Sequence, residues 1–325
     1  MSASKIVECT NFASKIAKKV YNELKEQINK CVNEIDVYTV SQLGNSRILE
    51  ETNSVYKKCK NKGIAFPVSI SLNNCVGNYI ATSKDILIKS GDIVKIELGV
   101  TIDGYIGIIG ETFVAGQPDH LKKELLFLDQ LSEDIAFNLT AGETNDTLRI
   151  FIETECTENG IYPIENCISY QQFENHIKTD DSKYMILNYR KYWDQDDILV
   201  SEDNLCFEFE ENEVYTINIT CAVNDAKDKK DIKYKEPLEP RLFRFNEINY
   251  QLKLNSSRMF FNQVKSNHRN YVFDATEMKK NPKMKIGMKE CLENGILESF
   301  PILYANDPVQ IIHKKFTMTV KTARV

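Results

Sequence analysis

The 325-residue chain predicts an α+β fold, mostly antiparallel strands in a sheet with helices on one face. Two patterns carry that prediction. Phe12, Ile16, Val20, Leu24, Ile28, Cys31 or Val32, and Ile35 recur every three to four residues, as one face of a long amphipathic helix requires. Ile93-Val94-Lys95-Ile96-Glu97-Leu98 alternates strictly, and Asp103-Gly104 downstream is the tight turn that folds such a strand back on itself.

In the strand at 93–98, Val94, Ile96 and Leu98 share one face, and Lys95 and Glu97 the other. Pairing across Asp103-Gly104 puts Glu97 opposite Gly110, with Ile108 a diagonal neighbour on the same face. Glu97 and Ile108 therefore look into one space. Helices are expected around 119–139 and 144–159. Asp194 to Glu213 holds nine acids and no Lys or Arg, which reads as a solvated loop before a strand. Val214 to Cys221 alternates again, with Tyr215, Ile217 and Ile219 on one side and Thr216, Asn218 and Thr220 on the other. The last strand, Lys315 to Val320, turns Phe316, Met318 and Val320 to the core and Lys315, Thr317 and Thr319 away from it.

Composition bounds the function. At 42% hydrophobic and 27% charged the chain is globular in type, and no run of roughly 18 apolar residues exists to span a membrane. Nor does the N-terminus read as a signal peptide. The nine cysteines are odd in number and widely spaced, with no CxxC pair, so reduced thiols in a cytosolic or nuclear protein are expected. Net charge is −6, but its distribution is uneven. Residues 1–226 carry 21 basic and 36 acidic groups, and residues 227–325 carry 20 and 11. The C-terminal third can meet a polyanion, or the two lobes simply differ in surface charge.

One stretch, Gly63-Ile64-Ala65-Phe66-Pro67-Val68-Ser69-Ile70-Ser71-Leu72-Asn73-Asn74-Cys75-Val76, followed by Gly91-Asp92-Ile93-Val94-Lys95-Ile96-Glu97-Leu98-Gly99, resembles the methionine aminopeptidase, or pita-bread, superfamily. Within it the chain is most similar to the proliferation-associated, ErbB-binding protein family, a relative of type 2 methionine aminopeptidase. Further matches are Tyr162-Pro163-Ile164-Glu165, Glu213-Val214-Tyr215, Ser257-Arg258-Met259-Phe260-Phe261, Glu290-Cys291, Phe300-Pro301-Ile302-Leu303-Tyr304 and Phe316-Thr317, in order along nearly the whole chain. The resemblance implies a single pita-bread domain over 1–325, with a type 2-like basic helical insertion at 252–304.

The superfamily's enzymes hold two divalent metals with two Asp, one His and two Glu, while a second His assists. Carried onto this chain, the first Asp falls at Glu97 and the second at Ile108. The His falls at Tyr170, the Glu of the next strand at Asn218, the Glu of the final strand at Lys315, and the outer His at Asn78. Placing the ligand His at His176 instead would leave Ile108, Asn218 and Lys315 unchanged. One carboxylate remains and one ligand has become an ammonium, so no metal, no cofactor and no catalysis are expected. His120, His176, His268 and His313 then read as surface or packing residues. Glu97 and Lys315 are expected to form an internal ion pair, the alternative being that one of them reaches water.

With catalysis removed, the insertion is the candidate working surface. Arg258, Lys265 and Arg269 fall on one helical face and Phe260, Phe261 and Val264 roughly opposite, so the cations are expected outward. Lys279, Lys280, Lys283, Lys285 and Lys289 follow around Pro282, and Lys253 precedes them; all are candidates for phosphate contacts. The family is similar to proteins on the large ribosomal subunit at the polypeptide exit tunnel, which touch rRNA and ribosomal proteins there. The resemblance therefore implies a monomeric, cytoplasmic and also nuclear ribosome-binding factor. The family pattern also includes a Lys-rich tail, which is not seen before Val325, so nucleolar traffic and signalling partners that depend on it are not carried over with the resemblance. A pre-ribosomal large-subunit assembly or nuclear export factor, an active metal-dependent methionine aminopeptidase, and a peptide-binding scaffold reusing the old pocket are the alternatives.

Overall fold

The computed structural model describes residues 3–189, 206–223, 232, 234–306 and 308–323. Of the acidic stretch, 194–205 lies outside the described residues. Its end is not a solvated loop: Phe209 is buried, and Phe207 stacks on Tyr215 with ring centroids 6.0 Å apart.

The first half opens with α1 (Ala3–Lys30) and α2 (Val37–Ser54), then β1 (Lys62–Leu72), β2 (Ile93–Ile102) and β3 (Tyr105–Val114). The buried stripe of α1 runs through Ala13, Ile16, Ala17, Val20, Leu24 and Ile28, and the helix stops before Cys31, where Asn33 takes a positive φ. Phe12, expected on that stripe, instead sits partly buried with its ring edge-on to Tyr56. Gly107 lets α1 approach β3, because a Cβ there would lie 2.3 Å from the Ser14 nitrogen. Asp36 starts α2 by accepting from the Thr39 backbone N–H at 2.7 Å. Asp103 and Gly104, both at positive φ, turn β2 into β3.

The second half contains α3 (Lys122–Asn138), α4 (Asn145–Glu158), β4 (Ile161–Pro163), β5 (Cys167–Gln172), β6 (Tyr184–Leu187) and β7 (Val214–Val223). The chain then makes β8 (Tyr234–Phe245), α5 (Asn255–His268), β9 (Phe273–Asp274), α6 (Thr276–Lys280), α7 (Pro282–Glu293), β10 (Leu297–Ala305) and β11 (Gln310–Thr319).

One antiparallel sheet runs β1-β2-β3-β11-β7-β5-β6, with β4 also on β7. Its halves meet where β3 and β11 pair through two residue pairs, Gly110 with Lys315 and Ile109 with Phe316. Helices cover one face: α1 and α2 pack against Val94, Ile96, Leu98 and Val100, and α3 and α4 against Tyr215, Ile217 and Ile219. The other face carries the polar alternates and is approached by a second, three-stranded sheet, β10-β8-β9. Helices α5 to α7 lie in the 252–304 span, and β8, upstream of it, supplies the central strand of their sheet. Phe243, Phe245, Phe260, Phe273, Met284 and Met288 give that unit its own core.

Candidate functional site

Pairing registers decide which side chains share a row. Ser69 pairs with Glu97, Glu97 with Gly110, Gly110 with Lys315, and Lys315 with Asn218, which makes one row across five strands. Two residues along, on the same face, Gly99 pairs with Ile108 and Thr317 with Thr216, which pairs with Tyr170. The Ile108 N–H closes that row by donating to Thr317 Oγ1 at 2.8 Å. The strands thus bring Glu97, Ile108, Tyr170, Asn218 and Lys315 onto two neighbouring rows of one face. His176 lies beyond the end of β5, with Nε2 2.9 Å from Glu247, so Tyr170 is the residue on the row.

Lys315 Nζ donates to Glu97 Oε1 at 2.7 Å, with side chains 13% and 3% exposed, which is the ion pair the alternation leads one to expect. Between them in the row stands Gly110. A Cβ there would be 2.8 Å from Lys315 Cβ and 3.1 Å from His313 Nε2, so only glycine lets the lysine stem cross to Glu97 unhindered. Burial, and next the Glu97 charge, push the Tyr170 hydroxyl well above its ordinary range. Asn218 is engaged locally: its Oδ1 accepts from Thr220 Oγ1 at 2.8 Å and its Nδ2 donates to the Ile168 carbonyl at 3.3 Å. Asn78, at φ 62°, donates through Nδ2 to the Pro301 carbonyl at 3.0 Å and so ties the loop after β1 to β10.

Ile108 is buried among Phe66, Ile177, Leu242, Tyr271 and Val272. Phe66 meets Phe300 edge-on at 5.8 Å. An apolar plug, partly supplied by the second sheet, fills the space around that position. Each fully buried side chain of this kind contributes roughly 1.5–3 kcal/mol.

Two basic side chains behind the pair lie in the next row, where Lys95 pairs with Thr112 and His313 with Thr220. Lys95 is 1% exposed, and its ammonium donates to the Asn73 and Ile311 carbonyls at 2.8 and 3.0 Å. Burial pulls its pKa down to about 7. His313 belongs to the interior, where burial, then Lys315 and Lys95, hold its pKa well below the usual 6.5 and keep the imidazole neutral. A polar residue in a strand does not announce its face until the strand's start is known, and β11 begins five residues before the expected Lys315.

A second ionic cluster has no local sequence signal. Glu298 of β10 pairs with Arg244 of β8 and, at 2.6 Å each, bonds Arg244 Nη2 and Lys178 Nζ. Burial alone would raise the Glu298 carboxyl, but the two cations hold it below its usual range. Residues distant in sequence meet here only because the second sheet closes over the first.

A pita-bread hydrolase would hold two dications on the row described above. The donors here do not fit that group. Glu97 is bonded to an ammonium, Ile108 has no lone pair, and Lys315 repels cations; among the described residues no cluster of three or more His, Cys, Asp or Glu could hold a metal.

On the insertion the nine cationic candidates separate. Lys253, Arg269, Lys283 and Lys285 are exposed and hold no salt bridge among the described residues. Arg258 is also exposed, but folds back onto the Leu252 and Lys253 carbonyls at 2.9 and 3.3 Å. Lys280 pairs with Glu277 at 2.5 Å and Lys289 with Glu293 at 3.6 Å, both on the surface. Two are not outward cations as expected. Lys265 lies over the Phe245 and Phe261 rings and bonds Asn270. Lys279 lies over Phe243 and pairs with Glu239 at 3.2 Å. Aromatic faces of the insertion's core attract these two stems and heads inward.

The sheet order and the two helix pairs on one face define a pita-bread protein, and the chain belongs to metallopeptidase family M24, whose profile matches residues 8–177. More particularly, it is 29% identical over 313 residues to the ErbB-3 binding protein 1 of Arabidopsis thaliana, covering 94% of this chain and 76% of that one. It is also 28% identical over 325 residues to proliferation-associated protein A of Dictyostelium discoideum, covering 97% and 79%. Among solved structures a thermophilic Arx1 superposes with a TM-score of 0.79 at 19% identity, covering 98% of this chain and 88% of that one. That likeness is one of fold. No helix among the described residues is long and apolar enough to cross a membrane.

Proposed function

We propose that the protein is a non-catalytic member of its family that binds the large ribosomal subunit near the polypeptide exit tunnel, through rRNA and ribosomal protein contacts. The observation that carries the loss of catalysis is the Lys315 ammonium 2.7 Å from Glu97, a cation seated where the fold's enzymes need anionic ligands. The basic insertion supports the binding half. Its Lys253, Arg269, Lys283 and Lys285, which hold no salt bridge among the described residues, stand in a chain whose first 226 residues carry a large acidic excess. Such cations contact phosphate without reading sequence, which suits structured rRNA. Arg258, Lys280 and Lys289 are also exposed, whereas Lys265 and Lys279 serve the insertion's core. A cytoplasmic and partly nuclear protein follows from this reading, with no membrane involved, acting as a monomer.

Co-sedimentation with purified ribosomal subunits over a salt series tests the proposal. Four phosphate contacts give a slope of log affinity against log salt of about −3 to −4, and K283E with K285E reduces its magnitude by about two. No binding at low salt overturns the ribosome reading. Stoichiometric cobalt, manganese or zinc together with turnover of a Met-peptide overturns the non-catalytic one. Preference for precursor particles from nuclear fractions assigns the chain to large-subunit assembly or export instead.

A further inference from the structure

The insertion carries a feature that phosphate binding does not use. Between α7 and the second sheet runs a groove of about 470 Å³, bounded by Pro240 and Phe243 of β8 and by Ile286, Met288 and Leu292 of α7. Ile286 is 54% exposed and Leu292 38%, so the groove presents apolar surface that the fold itself leaves uncovered. Its rim is cationic. Lys285 is free of salt bridges among the described residues, Lys289 holds only a surface pairing at 3.6 Å with Glu293, and the acid on the β8 side, Glu239, is neutralised by Lys279.

We propose that this groove docks a short acidic peptide segment of a partner protein, with one apolar side chain seated against Ile286 and Leu292 and flanking carboxylates on Lys285 and Lys289. Charge complementarity selects this occupant. An RNA strand would satisfy the lysines and leave the aliphatic floor in water, and a basic or neutral peptide would bury the floor and leave the lysines unanswered. The floor provides the anchor and the rim sets polarity, the usual division of labour at a peptide groove. Lys285 is shared with the phosphate surface, so the peptide and rRNA compete for it. The peptide site does not depend on ribosome binding, because its floor contributes nothing to phosphate contacts.

The test is fluorescence polarisation of the full chain with a labelled acetyl-Asp-Glu-Asp-Leu-Phe-Asp-Glu-amide, alongside the same peptide with Asn and Gln for the acids and with Ser for Leu-Phe. Saturable binding of the first peptide is expected, weakened at least tenfold in each control. Ile286→Ser, a neutral change at an exposed position, is expected to weaken it tenfold or more while co-sedimentation with ribosomal subunits is unchanged. K285E with K289E is expected to weaken both. Thermal melts of the variants exclude unfolding as the cause. The proposal is overturned if the acidic peptide does not bind at millimolar concentration, if the neutral peptide binds equally, or if Ile286→Ser has no effect. Each of these leaves the ribosome reading standing, and the loss of ribosome binding alone leaves the peptide site standing.

Discussion

Replacing Lys315 by methionine strands a carboxylate inside the sheet. At the 2.7 Å separation of Lys315 and Glu97 the attraction is about 6 kcal/mol for an effective dielectric near 20, and taking both charges out of water costs several kcal/mol per ion. The pair itself therefore adds little net stability. Removing one member is different, because the survivor keeps its desolvation and loses its partner. Glu97 is 3% exposed against 13% for Lys315, so the carboxylate is the worse orphan. Lys315→Met is expected to cost about 3–5 kcal/mol. Glu97→Gln is expected to cost less, since the lysine stem can carry its head toward water. The double variant Glu97→Leu with Lys315→Met should return to within about 1 kcal/mol of the parent chain, because volume is kept and no charge remains. Equilibrium urea unfolding followed by far-ultraviolet circular dichroism measures all three. A single Lys315→Met variant within about 1 kcal/mol of the parent, or a double variant no more stable than that single one, refutes the reasoning.

Three further outcomes follow from these two rows. Gly110→Ala forces a methyl to 2.8 Å from Lys315 Cβ, and a loss of about 1–3 kcal/mol is expected in the same unfolding assay. Lys95, with its pKa lowered from 10.5 to about 7, makes the unfolded chain bind the extra proton between those values, so stability rises with pH across that window. His313, held neutral below its usual 6.5, withdraws stability as pH falls under that value. Melting temperatures against pH should lose the alkaline rise in Lys95→Met and the acid fall in His313→Gln; profiles unchanged from the parent would exclude these groups as the cause.

Four strands of the main sheet, β2, β3, β7 and β11, were legible because alternation is local, whereas β1, β4, β5 and β6 were not read. Knowing only that Glu97 and Lys315 point off the core face places both on the face where the registers later bring them together. Asp103-Gly104 set the register of β2 on β3, and with it the position of Ile108. What escaped depended on distant partners. Strand β8 contains Pro237 and Pro240, which argue against a strand until a second sheet edge is there to receive it. Helix α2 announces itself by Asp36, but its buried residues Val37, Val40, Ser41, Gly44, Ile48 and Thr52 are too mixed to read as an apolar stripe. Counting lysines over 252–290 could not separate Lys265 and Lys279, held over aromatic rings, from Lys283 and Lys285, because that distinction is made by Phe243, Phe245 and Glu239 folding underneath them.

Among the described residues, only two backbone residue pairs join the halves of the large sheet at β3 and β11, and the Lys315 side chain reaches over Gly110 at that seam to clasp Glu97. On the non-catalytic reading proposed above, that clasp is an evolutionary ratchet: a descendant regaining hydrolysis would first have to give up Lys315, and that step abandons Glu97 inside the protein before any ion is there to reward the change.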